Sequence, residues 1–156
     1  MFADFLNSRF KPEFVEARIQ TMAASIATEI PKQRERWSRG NWNWEEQIQE
    51  LIDFGYQRPT YVWDHLADYF GLSPALTLSL SALDASVGSV QVNSLNVDVV
   101  DWSGRYFPEV PVTVTATPAE GFSFSHWSGD IDSTEATIVL TLTEDTLLTP
   151  VFVANP

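Results

Sequence analysis

The sequence contains no cysteine. Disulfide staples, thiolate metal sites and a cysteine nucleophile are therefore excluded, and packing alone must hold the fold. Basic side chains are almost missing from the second half. Residues 72–156 carry Arg105 alone against 10 acidic groups, net −9, whereas residues 1–71 carry 8 basic and 11 acidic groups, net −3. A nucleic-acid backbone would meet repulsion there instead of a basic patch, so nucleic acid is excluded as a partner. Histidine occurs only at His65 and His126, one in each half, with no ligand cluster or Ser nucleophile arrangement beside either. No metal, cofactor or catalytic residue is predicted. Long apolar runs are absent too: none approaches the roughly 18 to 20 residues that span a bilayer, so no membrane insertion is expected. Met1 leads into Phe2-Ala3-Asp4 without a basic and then apolar leader, as expected of a cytoplasmic protein or of a piece of a longer exported chain.

What is present changes character midway. In the first half, Val15, Ile19, Met22, Ala23 and Ile26 recur at helical spacing after Pro12, which suits a first helical turn. Pro31 ends that helix or starts a short charged one through Trp37. A third stripe, Trp44, Ile48, Leu51, Ile52 and Gly55, follows Gly40-Asn41; Pro59 opens a fourth, with Val62, Leu66, Tyr69 and Phe70 inward and Gly71 as its left-handed stop.

Beyond Ser73-Pro74 the period becomes two. Leu76, Leu78 and Leu80, then Val90 and Val92, then Val110, Val112, Val114 and Ala116, then Ile138, Leu140 and Leu142 alternate with polar residues. These are half-buried antiparallel strands. The fold class is α+β in two segregated parts, a helical layer over residues 1–72 and an antiparallel module over residues 73–156.

The second part resembles the divergent InlB B-repeat family of bacterial surface proteins. The carriers are Gly88-Ser89-Val90, the run Val112 to Pro118, Gly121-Phe122-Ser123-Phe124, Trp127-Ser128-Gly129-Asp130 and Leu148-Thr149-Pro150-Val151-Phe152. That resemblance implies a β-grasp-like module. Pro150 departs from the family's usual alanine and, lacking an N–H, predicts an edge strand or an outward-turned position. The first part is similar to the tail of CotH-type proteins, through FLNSRFKPEFVEARIQTMAASIATEIPKQRERW and the Arg58–Leu72 run. The lysine and aspartates of that kinase-like family have no matching positions here, so the resemblance implies a noncatalytic piece.

Several motifs have competing readings. Trp127-Ser128-Gly129-Asp130 suits a ligand turn, but a core tryptophan followed by a glycine of positive φ explains it better. Phe122 and Phe124 share one strand face, so Trp127 reaches the core only if a bulge at Ser125-His126 shifts the phase. Asp130, Asp132 and Glu135 form an acidic turn without the glycine and distant glutamate of a calcium loop. Trp37, Trp42 and Trp44 are read as core aromatics of a small helical layer. The candidate ligand contact is Trp102, Arg105, Tyr106 and Phe107, placed with Asp101 and Gly104 in a long connection where strand alternation does not require rings.

The resulting expectation is a noncatalytic C-terminal region of an exported CotH-like protein, with a β module acting as spacer, adhesion or assembly element. Its expected partners are a protein or cell-envelope polymer and the upstream part of the same polypeptide, at the cell surface or outside it. The alternative is a carbohydrate-binding module using Trp102, Tyr106 and Trp127. An independent enzyme would need a polar constellation that the sequence does not hold.

Overall fold

The computed structural model describes residues 2–37, 43–81, 84–97 and 101–156. Its elements run α1 (Phe2–Leu6), α2 (Pro12–Ile26), α3 (Ile30–Trp37), α4 (Trp44–Phe70), then β1 (Leu76–Leu80), β2 (Gly88–Val92), β3 (Leu95–Val97), β4 (Trp102–Tyr106), β5 (Val112–Pro118), β6 (Phe122–Gly129), β7 (Thr137–Leu140) and β8 (Thr146–Ala154). The α+β class and the order of its parts are as the sequence predicts. Two compact units are present: Ser8–Val62, and Met1–Asn7 together with Trp63–Pro156.

In the helical unit, α2 starts with Pro12 at its first turn, where a missing N–H costs nothing. The expected third and fourth helices are one: α4 continues through Pro59. Proline removes one backbone bond and crowds the preceding turn, but the apolar stripe persists on both sides of it, and the helix absorbs the defect. The expected inward positions of this unit are only partly covered: Val15, Ile19, Ala23, Ile48 and Val62 are half-buried. Met22, Ile26 and Leu51 are exposed, as are Phe14 and Phe54, while Ile52 is buried. A layer of this size has too little mass to cover apolar stripes on several sides. Trp37, read as core, is 59% exposed, with the Arg36 guanidinium 5.8 Å from its ring centroid. Trp44 is half-buried, and Trp42 with residues 38–41 lies outside the described residues.

The module is built on alternation. Strands β2 and β5 bury every second residue, so Val90, Val92, Val112, Val114 and Ala116 point to one side. Two four-stranded sheets result, β4-β1-β8-β6 and β3-β2-β5-β7. Leu78, Leu80, Tyr106, Trp127 and Leu148 from the first sheet join Val90, Val92, Val97, Val112, Val114 and Leu140 from the second in one core. Among the described residues the strand pairings are antiparallel except β1 with β8, where Leu78, Ser79 and Leu80 run parallel to Thr146, Leu147 and Leu148.

Three local features decide details. The register of β6 on β8 shifts between Phe124 and His126, the irregularity that the sequence requires, and Trp127 is fully buried beside Phe124 at a 5.5 Å centroid distance. Pro150 corrects the edge expectation, because β8 is an interior strand and Pro150 is buried. The Ser81 N–H donates to Leu148 O at 3.1 Å, so the β1 side of β8 faces alternate residues including Pro150. Strand β1 and its register on β8 end at Leu80 and Leu148, so the proline stands just past the ladder. The last part of α4 ends as foreseen: Gly71 has φ +64° and the Leu72 N–H donates to Ala67 O at 2.9 Å. Tyr69 and Phe70, expected inward, are instead exposed and lie edge to face at 4.9 Å.

Candidate functional site

Strand β4 carries Trp102, Arg105 and Tyr106 of the candidate ligand contact, with Phe107 directly after it, and it is an edge strand of its sheet, not the expected long connection. The error has a simple cause. Gly104 breaks the apolar alternation that would have marked the strand, and the Trp102 ring lies over it, so closely that a Cβ at Gly104 would sit 2.8 Å from Cζ2. Register fixes the rest, pairing Leu76 with Tyr106 and Leu80 with Trp102.

The four candidates do not form an open platform. Tyr106 and Phe107 are buried, and Trp102 and Arg105 are half-buried. Phe107 meets Trp63 edge to face at 5.2 Å, and the Arg105 guanidinium lies 5.3 Å from the centroid of that indole. A guanidinium near an aromatic face is attracted by the ring quadrupole and packs its stem against apolar surface.

Two polar residues of the N-terminal turn complete the arrangement, and the sequence reading missed both. Asn7 donates from Nδ2 to Arg105 O and accepts from the Arg105 N–H at Oδ1, each at 2.8 Å. One carboxamide thereby supplies both groups that a neighbouring strand would offer to Arg105. Asp4, also buried, accepts from the Ser94 hydroxyl at 2.6 Å, the Ser94 N–H at 3.4 Å, Asn93 Nδ2 at 3.3 Å and the Tyr106 hydroxyl at 3.5 Å. Asn93 is set for this by the β2–β3 turn: its φ is +49°, and its Oδ1 accepts from the Thr113 N–H at 2.9 Å. The only sequence signal was two short polar residues three apart between Ala3, Phe5 and Leu6, a spacing that puts both on one helix face.

Burial, reinforced by the Asp4 carboxylate, pushes the Tyr106 phenol well above its ordinary value. A group raised in the folded state contributes stability fully present below its unfolded pKa, about 10 for tyrosine, and loses it as pH rises towards the folded value. The module should therefore lose melting temperature above about pH 10, and Tyr106→Phe should flatten that loss. Tyr56, raised by its hydrogen bond to Glu16, acts in the same direction in the helical unit and must be present in both proteins compared. An identical alkaline loss in the Tyr106→Phe variant would refute the assignment.

The remaining motifs have structural occupations. Trp127 Nε1 donates to Glu135 O at 3.1 Å, and the Trp127 and Ser133 backbones bridge each other. Asp130 accepts the Leu147 N–H at 2.7 Å and donates its own N–H to Leu147 O at 2.9 Å, so its carboxylate terminates a strand pairing. Asp132 and Glu135 are exposed, and no group of three potential metal ligands gathers among the described residues. His65 is exposed on α4; His126 Nδ1 lies 3.0 Å from the Ser125 hydroxyl.

Comparison with known proteins agrees with the two resemblances read from the residues. Residues 88–156 match the family model of the divergent InlB B-repeat domain, and residues 1–62 match that of the CotH kinase protein. No curated protein and no solved structure matched the chain.

Proposed function

We propose that this chain is a noncatalytic C-terminal region of an exported CotH-like surface protein, whose helical unit completes a larger lobe and whose β module serves as a spacer or assembly element. The observation that carries this reading is the contrast between the two units. The module closes its own core around Trp127, whereas Phe14, Met22, Leu51, Phe54 and Tyr61 of the helical unit remain exposed. An open groove of about 660 Å3, walled by Ala23, Ala24, Ala27, Ile30, Trp44 and Ile48, adds to that uncovered apolar surface. Monomeric domains rarely leave so much apolar area in contact with water. The order of the two family matches, CotH before B-repeat, supports a fragment of a surface protein, and among the described residues no helix is long and apolar enough to cross a membrane.

Hydrogen exchange tests the structural half of this proposal. In a longer chain carrying the natural N-terminal continuation, α2 and α4 should exchange about tenfold more slowly than here, because covered helices open less often. Unchanged exchange would sink the larger-lobe reading. The noncatalytic half is tested with radiolabelled ATP and protein acceptors, and transfer of label by this chain would defeat it. Saturable binding to chitin, glucan or peptidoglycan would instead favour a carbohydrate-binding role.

A further inference from the structure

We infer that the β module contains a recognition site for a short helical turn bearing Asp and Asn three residues apart, a site occupied here in cis by Asp4 and Asn7. The inference goes beyond the proposed function and does not depend on it. The receptor half lies wholly in the module: the β2–β3 turn at Asn93-Ser94, the Tyr106 hydroxyl and the backbone of Arg105 on the β4 edge. Its two ends have different chemistry. The turn and the phenol converge donors on one carboxylate, with the Ser94 hydroxyl at 2.6 Å, its N–H at 3.4 Å, Asn93 Nδ2 at 3.3 Å and the Tyr106 hydroxyl at 3.5 Å. The β4 edge presents one donor and one acceptor, and only a group holding both can satisfy them, as the Asn7 carboxamide does at 2.8 Å each.

Specificity follows from those demands. Aspartate at the second position would repel Arg105 O, and asparagine at the first would set its amide against converging donors. Leu6 is buried between the two polar residues in sequence, and Ala3 packs on the module core, so the ligand is a turn with one polar and one apolar side. The contacts span 89 to 102 positions of sequence, so chain proximity does not create them. What recognises a segment so distant in sequence is able to recognise the same segment on another molecule, with the tethered copy as competitor.

The test uses the full chain, with Asp4→Ala/Asn7→Ala to empty the site and a synthetic peptide, Phe-Ala-Asp-Phe-Leu-Asn-Ser-Arg, as probe. Amide exchange at Ser94 and Arg105 should rise about tenfold or more in the double variant while Val90 and Val114 stay slow, showing local release in a folded module. Added peptide should restore slow exchange at Ser94 and Arg105 saturably. A peptide with alanine at the Asp and Asn positions should not, and the parent chain should bind neither. Should the double variant unfold, Asn7→Ala alone keeps Asp4 in place, and exchange should then rise at Arg105 while Ser94 stays slow; unchanged exchange at Arg105 overturns the inference. The inference is overturned if Ser94 and Arg105 remain as slow as in the parent. It is equally overturned if the peptide fails to restore slow exchange at the released amides, or if the alanine peptide does so as well as the native one.

Discussion

Replacing Trp127 with alanine should destabilise the β module by about 3 to 5 kcal/mol, the range for emptying a large aromatic core site. The indole is fully buried, tilts against Phe124 at 5.5 Å and spends its single donor on Glu135 O. Alanine would leave a cavity in the core and strand that carbonyl without its partner. Phenylalanine at the same position would restore most of the volume and none of the hydrogen bond, so Trp127→Phe separates the two contributions. Chemical denaturation followed by far-ultraviolet circular dichroism reads both. A Trp127→Ala midpoint close to the parent's would show that the core does not rest on this residue.

Gly129→Ala should cost about 2 to 4 kcal/mol, from a backbone conformation that side chains rarely adopt and from overpacking. Its φ is +114°, and a Cβ would be driven into Leu147 O, which already accepts the Asp130 N–H. Alanine restricts the unfolded chain and recovers about 0.4 to 1 kcal/mol, too little to offset the clash. Gly71→Ala supplies the control. That residue has φ +64° but nothing within 4 Å of the added carbon, so only the left-handed penalty of about 1 to 2 kcal/mol applies. Equal melting temperatures for the two variants would mean that the Leu147 carbonyl moves aside freely and that the tight approach is not needed.

Periodicity made most of the module legible before any coordinates. Val112, Val114 and Ala116 alternate so regularly that their burial follows from the sequence, and the mismatch between Phe124 and Trp127 demanded the irregularity found between Phe124 and His126. Periodicity failed wherever packing was decided by residues far away. The β4 strand went unread because its inward position at Gly104 carries no side chain, and the covered state of Tyr106 and Phe107 was hidden because Asp4 and Trp63 belong to the part read as a separate helical layer. Proline misled twice. Pro59 was read as the start of a new helix and Pro150 as a sign of an edge or outward-turned position, but a helix with an apolar stripe on both sides runs through the first, and the second is buried on an interior strand just past the end of its pairing with β1. The candidate ligand contact was thus read as a connection, whereas Trp102, Arg105 and Tyr106 lie on an edge strand and Tyr106 and Phe107 are buried.

The parallel pairing of β1 with β8 has a consequence for how the chain reaches its native state. Ser81 and Thr149, joined by their hydroxyls at 2.8 Å, are 68 positions apart. Closing a loop of that length costs entropy before any contact repays it, and non-local pairings of this kind slow folding. Leu148 fills the core from β8, so the module's core stays incomplete until that strand has been made. The β2–β3 hairpin and the β5–β7 pair are able to form earlier, but their inner faces stay wet meanwhile. Closure of the module thus waits on β8, which inserts between β1 and β6, two strands made before it.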